Sequence, residues 1–327
     1  MSGQKKYRGV YPVVPTPLKE DESLDLAGIE HLAEYYISEG CHGLLVLGSG
    51  GESPYFSADE KYRVVKAVAE KVKGRIPVIA GCTFLSLAET LAFFEKADSL
   101  PFDGYLVALP AYYPPRYDDV FAFYSSIVRH TKKTVMYYHF PQITGLFFNL
   151  RQMSRLYNIS GITGAKESSV CVSEMKRDIK AVSGKDFTLF SGTAQLMLTN
   201  LKADGAGVMC PIPSVAPRAV VECYNCWMSG DYERARRIEY SIYNHIGLMN
   251  TFDIPAAVQK FAFKTISRLP FPTMIGRNSR QAVFKETLRQ LGHPITAKVR
   301  SPLPQITDDD RKNITVLIRS SEILRSI

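Results

Sequence analysis

The 327-residue chain is 46% apolar and 22% charged, with 22 glycines and 19 prolines, which is the composition of a folded globular protein and excludes disorder and fibres. Its 40 Lys and Arg against 32 Asp and Glu leave a formal charge of +8, yet acids are interleaved with bases, as in Lys19-Glu20-Asp21-Glu22, and no basic run with aromatic spacing marks a nucleic-acid face, so the surplus suits anionic small molecules. No stretch approaches the ~18 consecutive apolar residues of a membrane helix and MSGQKKYRGV has no signal core, so a soluble cytoplasmic protein without a membrane partner is expected.

Along the chain, short apolar β-rich runs recur: VYPVVPT from Val10, GLLVLG from Gly43, PVIAG from Pro77, GYLVALP from Gly104, TVMYYHF from Thr134, GITGAK from Gly161, FTLFSG from Phe187 and AGVMCP from Ala206. Their apolar character is continuous rather than alternating, as strands buried on both faces require. Amphipathic helical stretches follow them, such as Leu26 to Gly40, Ala58 to Val72, Ser86 to Leu100 and Tyr117 to Thr131, with Asp25 and Ser57 at N-cap positions and Gly40 where a C′ glycine belongs. Eight strand–helix units closing on themselves predict an α/β fold, a (β/α)8 TIM barrel, over residues 1–230. An open doubly wound sheet is the rival, but no GxGxxG follows the first strand. Residues 231–300 read as a C-terminal helical appendage, broken by SRLPFPTM, and 301–327 as a tail of unread role that ends in an amphipathic NITVLIRSSEIL.

The six cysteines, Cys41, Cys82, Cys171, Cys210, Cys223 and Cys226, are dispersed and read as reduced thiols. Cys223 and Cys226 form a CxxC with no second pair and no nearby histidine, so they read as a stripe on a buried helix, and no metal site is expected. His31, His42, His130, His245 and His293 show no ligand or triad spacing and read as structural.

Working groups of a (β/α)8 barrel lie where its strands end, because loops there vary without breaking the barrel. Strand two runs into Gly48-Ser49-Gly50-Gly51-Glu52, strand four into Pro110-Ala111-Tyr112-Tyr113-Pro114-Pro115, strand five into Tyr137-Tyr138-His139-Phe140-Pro141, strand six into Lys166-Glu167-Ser168 and strand seven into Ser191-Gly192-Thr193. Lys166 closes an apolar strand and should point into the barrel, where desolvation favours an uncharged amine able to attack a ketone as a Schiff-base nucleophile; otherwise it snorkels outward or pairs with Glu167. Ser49, Gly50 and Gly51 offer consecutive backbone N–H groups to a carboxylate, or form an ordinary tight turn. Tyr138 is placed to shuttle a proton, with Ser49 and Tyr113 as relays, while Tyr137 should face the helices.

These segments in this order, GSGGES (48–53), Tyr112-Tyr113, YHFPQITG (138–145), GAKES (164–168) and GVMCPIPSVAPR (207–218), resemble the pyruvate-dependent class I aldolase family that includes dihydrodipicolinate synthase and N-acetylneuraminate lyase, over about residues 8–295. The resemblance implies Lys166 as the Schiff-base lysine, Tyr138 as the proton-transferring phenol, Ser49 and Tyr113 as relay hydroxyls, Tyr113 from a neighbouring subunit, and Ser49 and Gly50 amides as the carboxylate cradle. It implies Ile143, Gly192 and Met209 around the substrate, a small keto acid and an aldehyde as partners, no metal or organic cofactor, and a homo-oligomer, tetramer or dimer. Departures bear on the aldehyde. Ile143 stands where the synthases have an arginine for the carboxylate of aspartate semialdehyde, Ala194 and Gln195 replace the lyases' Asp-Glu pair, Met209 replaces their serine, and Gly50 replaces a threonine. The reading is therefore a pyruvate-dependent lyase acting on a 2-keto-3-deoxy acid. Its alternatives are dihydrodipicolinate synthesis, a dehydratase using the same imine, or a catalytically silent barrel that binds.

Overall fold

A computed structural model describes residues 7–109, 112, 113, 115–169, 171–243 and 279–325. Pro110, Ala111 and Pro114 of the expected strand-four loop, and residues 244–278 of the expected helical stretch, with His245 and SRLPFPTM, lie outside the described residues.

Eight parallel strands form one sheet: β1 Gly9–Pro12, β2 Leu44–Val46, β3 Val78–Cys82, β4 Gly104–Val107, β5 Thr134–His139, β6 Ile162–Glu167, β7 Thr188–Ser191 and β8 Gly207–Cys210. They pair in the order β1-β8-β7-β6-β5-β4-β3-β2, and a parallel bridge from Val13 to Leu45 joins the two ends, so the expected barrel closes. The runs read as continuously apolar because two hydrophobic layers share each strand. Tyr11, Leu45, Ile79, Leu106, Met136, Tyr138, Phe190 and Met209 fill the interior. Their neighbours Val10, Leu44, Ala80, Tyr105, Val135, Tyr137, Ala165, Leu189 and Val208 pack outward under the helices.

Local chemistry sets the helix ends as expected. α1 Leu26–Ser38 starts at Asp25, whose carboxylate accepts the Gly28 N–H, and Gly40 just past its end takes a φ of 78°. α2 Ala58–Val72 opens with a capping box between Ser57 and Glu60. α3 Leu87–Ala97 and α4 Tyr117–Ile127 follow β3 and β4. After β5 come two short helices, α5 Pro141–Thr144 and α6 Leu150–Tyr157, because Pro141 starts one turn and Gly145, at φ 67°, ends it. α7 Val172–Ala181, α8 Met197–Lys202, α9 Ile212–Val215 and α10 Pro217–Met228 complete the ring. Cys223 and Cys226 lie on α10, the former buried, as the helix reading of the CxxC requires.

Beyond the ring come α11 Tyr232–Tyr243, α12 Arg280–Gln290, α13 Asp308–Ser320 and α14 Glu322–Arg325. Thr307 caps α13 and its first turn carries Asp308, Asp309 and Asp310, which suits the positive end of a helix. The tail is tied down: Thr315 Oγ1 donates to Gln290 Oε1 at 2.8 Å, Gln290 Nε2 to the Arg311 carbonyl at 3.0 Å, and Ile314, Ile323 and Leu324 are buried. No helix among the described residues is long and apolar enough to cross a membrane.

Phe190 is fully buried in the interior layer, its ring 4.8 Å from that of Tyr11. Phe190→Ala is expected to lower unfolding free energy by about 3–5 kcal/mol, against about 1 kcal/mol for loss of the Ser57 cap in Ser57→Ala, both read from urea denaturation.

Candidate active site

Strand parity decides what meets at the mouth. In the parallel pair β5·β6, Tyr138 lies opposite Lys166 and His139 opposite Glu167. Tyr138 and Lys166 therefore share the inner face, and His139 and Glu167 the outer one. Lys166 is 3% exposed and its Nζ sits 4.5 Å from the centroid of the Tyr138 ring. Tyr138 is also buried, with Phe140 stacked on it at 5.5 Å, and its hydroxyl lies 3.4 Å from Ser49 Oγ. An amine, a phenol and an aliphatic hydroxyl thus converge, as expected. Among the described residues Lys166 has no acidic partner, and the alternative pairing with Glu167 is ruled out by their opposite faces.

The Gly48–Glu52 turn follows from its glycines. A Cβ on Gly48 would meet the Val13 side chain at 2.9 Å, and one on Gly51 would meet the Val14 carbonyl oxygen at 2.9 Å, so the loop packs directly onto the segment after β1. Within the turn, the Gly51 and Ser53 N–H groups are bonded to the Gly48 carbonyl and that of Glu52 to the Ser49 carbonyl. Those of Ser49 and Gly50 have no such partner among the described residues, and these are the two amides expected to cradle a carboxylate.

The other expected positions are placed less uniformly. Met209 is fully buried inside the barrel, and Gly192 follows β7 so closely on β6 that a Cβ there would fall 2.0 Å from Ser168 Oγ. Ile143 is 57% exposed at the rim. Tyr113 is 80% exposed and packs edge-on against Tyr112 at 4.9 Å, so this chain alone does not bring it to Ser49 or Tyr138.

Ser168 was not singled out by the sequence. It is buried, its Oγ has no hydrogen-bond partner among the described residues, and it lies two residues beyond Lys166, just past the end of β6. Its only sequence signal is that even spacing from the lysine. Missed as well is the outer layer behind the site. Tyr137 Oη and His139 Nδ1 are 3.2 Å apart, Tyr157 Oη donates to Asp178 at 2.9 Å, and Arg177 pairs with Glu174 at 2.5 Å and with Asp178 at 2.9 Å. Glu167 accepts the Ser169 N–H at 2.7 Å but has no cationic partner among the described residues, and burial, reinforced by Asp178 and Glu174, pushes its carboxyl up to about 8. Burial, with Arg177 nearby, pulls His139 down to about 3. Both groups are uncharged at neutral pH. Burial also pushes the Cys82 and Cys210 thiols up to about 12, which removes them as thiolate nucleophiles. Among the described residues no group of three or more His, Cys, Asp or Glu could hold a metal ion.

A closed parallel barrel that buries one lysine against a tyrosine at its mouth has the build of an aldolase-type lyase. Residues 6–263 match the Dihydrodipicolinate synthetase family, and the chain belongs to it. It is 31% identical over 290 residues to a 4-hydroxy-tetrahydrodipicolinate synthase of Methanopyrus kandleri, covering 87% of this chain and 96% of the relative. It is 32% identical over 303 residues to an uncharacterised DapA-like lyase of Halobacterium salinarum, covering 93% and 90%. The fold matches that of YagE, a prophage protein of the dihydrodipicolinic acid synthase family from E. coli K12 solved with pyruvate, at a TM-score of 0.85 over 97% of this chain and 99% of that one, with 22% identity. The chain is therefore an enzyme, a lyase of the class I aldolase type.

Glu167 has a testable consequence for stability. Its carboxyl sits at about 8 folded and about 4.3 unfolded, so the unfolded chain releases this proton first as pH rises. The stabilisation is fully present below the unfolded value and lost as pH climbs through the folded one. Glu167→Gln should match the parent protein in thermal melts near pH 4.5 and become progressively more stable than it toward pH 8.5.

Proposed function

We propose that the enzyme captures pyruvate, or the keto group of a pyruvate-derived adduct, as an imine on Lys166, and that it cleaves or forms a 2-keto-3-deoxy acid. The observation that carries this is the Lys166 amine, 3% exposed, 4.5 Å from the ring of Tyr138, whose hydroxyl is 3.4 Å from Ser49 Oγ.

In the cleavage direction, Lys166 attacks C2 of the keto acid and water leaves as the iminium forms. Tyr138, its own phenolic proton passed to Ser49 Oγ and on to solvent, takes the proton of the C4 hydroxyl, the C3–C4 bond breaks, an aldehyde departs, and the bonding electrons pass into the iminium to give an enamine. Tyr138 then delivers that proton to C3 and regains its own through the relay, and hydrolysis releases pyruvate and the free amine. The imine nitrogen is the electron sink, so the scheme uses neither metal nor organic cofactor. The unspent amides of Ser49 and Gly50 hold the substrate carboxylate. Ser168, with its unpartnered buried hydroxyl beyond the lysine, supports a hydroxylated aldehyde portion, because a substrate hydroxyl would satisfy it. Tyr113, exposed here, completes the relay of a neighbouring subunit in a homo-oligomer.

A second reading, condensation with aspartate semialdehyde, is favoured by the Methanopyrus kandleri relative, named as a 4-hydroxy-tetrahydrodipicolinate synthase. Ile143, half-exposed at the rim, argues against it, since it offers that aldehyde's carboxylate no cation.

Borohydride reduction in the presence of pyruvate should leave an adduct that peptide mapping places on Lys166 and that Lys166→Ala abolishes; an unmodified lysine rejects the imine chemistry. A panel of 2-keto-3-deoxy acids and of aspartate semialdehyde, followed by pyruvate release or consumption, distinguishes the two readings. Tyr138→Phe should lower kcat about 10²- to 10⁴-fold.

A further inference from the structure

The loop bearing Ser49 is held by a part of the chain more than two hundred residues away. Gln281, at the start of α12, donates from Nε2 to the Ser49 carbonyl at 3.0 Å. Its amide orientation is fixed by Ser279, whose Oγ donates to Gln281 Oε1 at 3.1 Å. The same Ser49 carbonyl accepts the Glu52 N–H at 3.2 Å. Glu52 takes a left-handed φ of 61°, a strained state for a residue with a side chain. Three contacts hold it there: Lys285 Nζ is 2.5 Å from Oε1, the Arg300 N–H donates to Oε2 at 2.7 Å, and the Glu52 carbonyl accepts the Tyr55 N–H at 2.9 Å. Glu52 and Lys285 are both fully buried, and Lys285 also donates to the Lys298 carbonyl at 2.7 Å.

A trans peptide is planar, with its C=O and N–H pointing in opposite directions. The Ser49 carbonyl and the Gly50 N–H belong to one peptide plane. Pinning that carbonyl toward α12 therefore aims the Gly50 N–H the other way, away from α12. Gly50 contributes no side chain that could orient itself on a ligand, so this amide direction is all that residue 50 offers a carboxylate.

We infer that Gln281, together with the buried Glu52–Lys285 pair, is a positioning set that aims the Gly50 N–H at the carboxylate of the keto-acid substrate, so that the C-terminal segment determines the enzyme's preference for an anionic ketone. This rests on the imine reading above and adds residues outside the barrel to it.

The test compares pyruvate with methyl pyruvate, which keeps the ketone and loses the negative charge, by the concentration of each that half-saturates borohydride-trapped imine on Lys166. In Gln281→Ala, and in the charge-free pair Glu52→Gln with Lys285→Met, half-saturation by pyruvate should rise about tenfold, the size of a lost hydrogen bond to a charged group, while that by methyl pyruvate should change less than twofold. A parallel rise for both ketones would mark a merely structural role and overturn the proposal, as would no rise for either. Should the paired variant fail to fold, the half-buried Gln281→Ala decides alone. Trapping in the unsubstituted protein separates the two claims: if pyruvate leaves no adduct there, the imine reading falls and takes this one with it; if the adduct forms and the selective shift is missing, only the positioning set falls.

Discussion

The arrangement of the site depends on the register between β5 and β6. Parallel pairing sets Tyr138 beside Lys166 at the same height, and the two-residue period of a strand then sends both inward and sends His139 and Glu167 outward. A slip of one residue in β6 would bury an acid in the barrel and turn the amine toward the helices, and one in β5 would replace the phenol by His139. The register is enforced by what the two faces contain. The inner face must fit Met136, Phe190 and Met209, while the outer face must fit Tyr137, Ala165 and Leu189. Chemistry at the mouth and packing along the strands are therefore specified by the same alternation.

Much of this alternation was legible from the residues. Eight continuous apolar runs required strands covered on both sides, and the caps at Asp25 and Ser57 located helix starts directly, because a capping interaction spans only three residues. The outward direction of Tyr137 followed from parity, while Lys166 was legible as an inward lysine with snorkelling or pairing to Glu167 as the alternative. What could not be read were contacts with no local signature. Nothing about Gln281 or Lys285 in a helical pattern says that they face residues 49 and 52, since that pairing depends on how the end of the chain returns to the barrel. Ser168 was hidden because even spacing from a lysine is a weak signal for a serine past the end of a strand, and its significance comes from a burial that leaves its hydroxyl unbonded among the described residues.

Two buried polar arrangements flank the site, and they are solved differently. Behind β5 and β6, three carboxyls face one guanidinium, and the imbalance is met by keeping Glu167 protonated. Beside the Ser49 turn, Glu52 meets Lys285 directly, with the Arg300 amide and the Lys298 carbonyl satisfying further bonding positions. A pair of this kind adds little net stability over apolar residues of the same shape, but losing one member leaves a charge stranded in the interior. Here it ties α12 to the loop, Lys285 on the helix meeting Glu52 in the turn.

That docking reverses the usual order in which a barrel enzyme is thought to be assembled. Translation delivers the amine, the phenol and the glycine turn early, and domains tend to organise as they emerge from the ribosome. Lys285 and the Arg300 amide emerge only after all eight strands. Until they do, a nascent barrel holds an acid at Glu52 without its counter-ion and a turn without its anchor, so the Ser49 turn is completed after the strands that surround it.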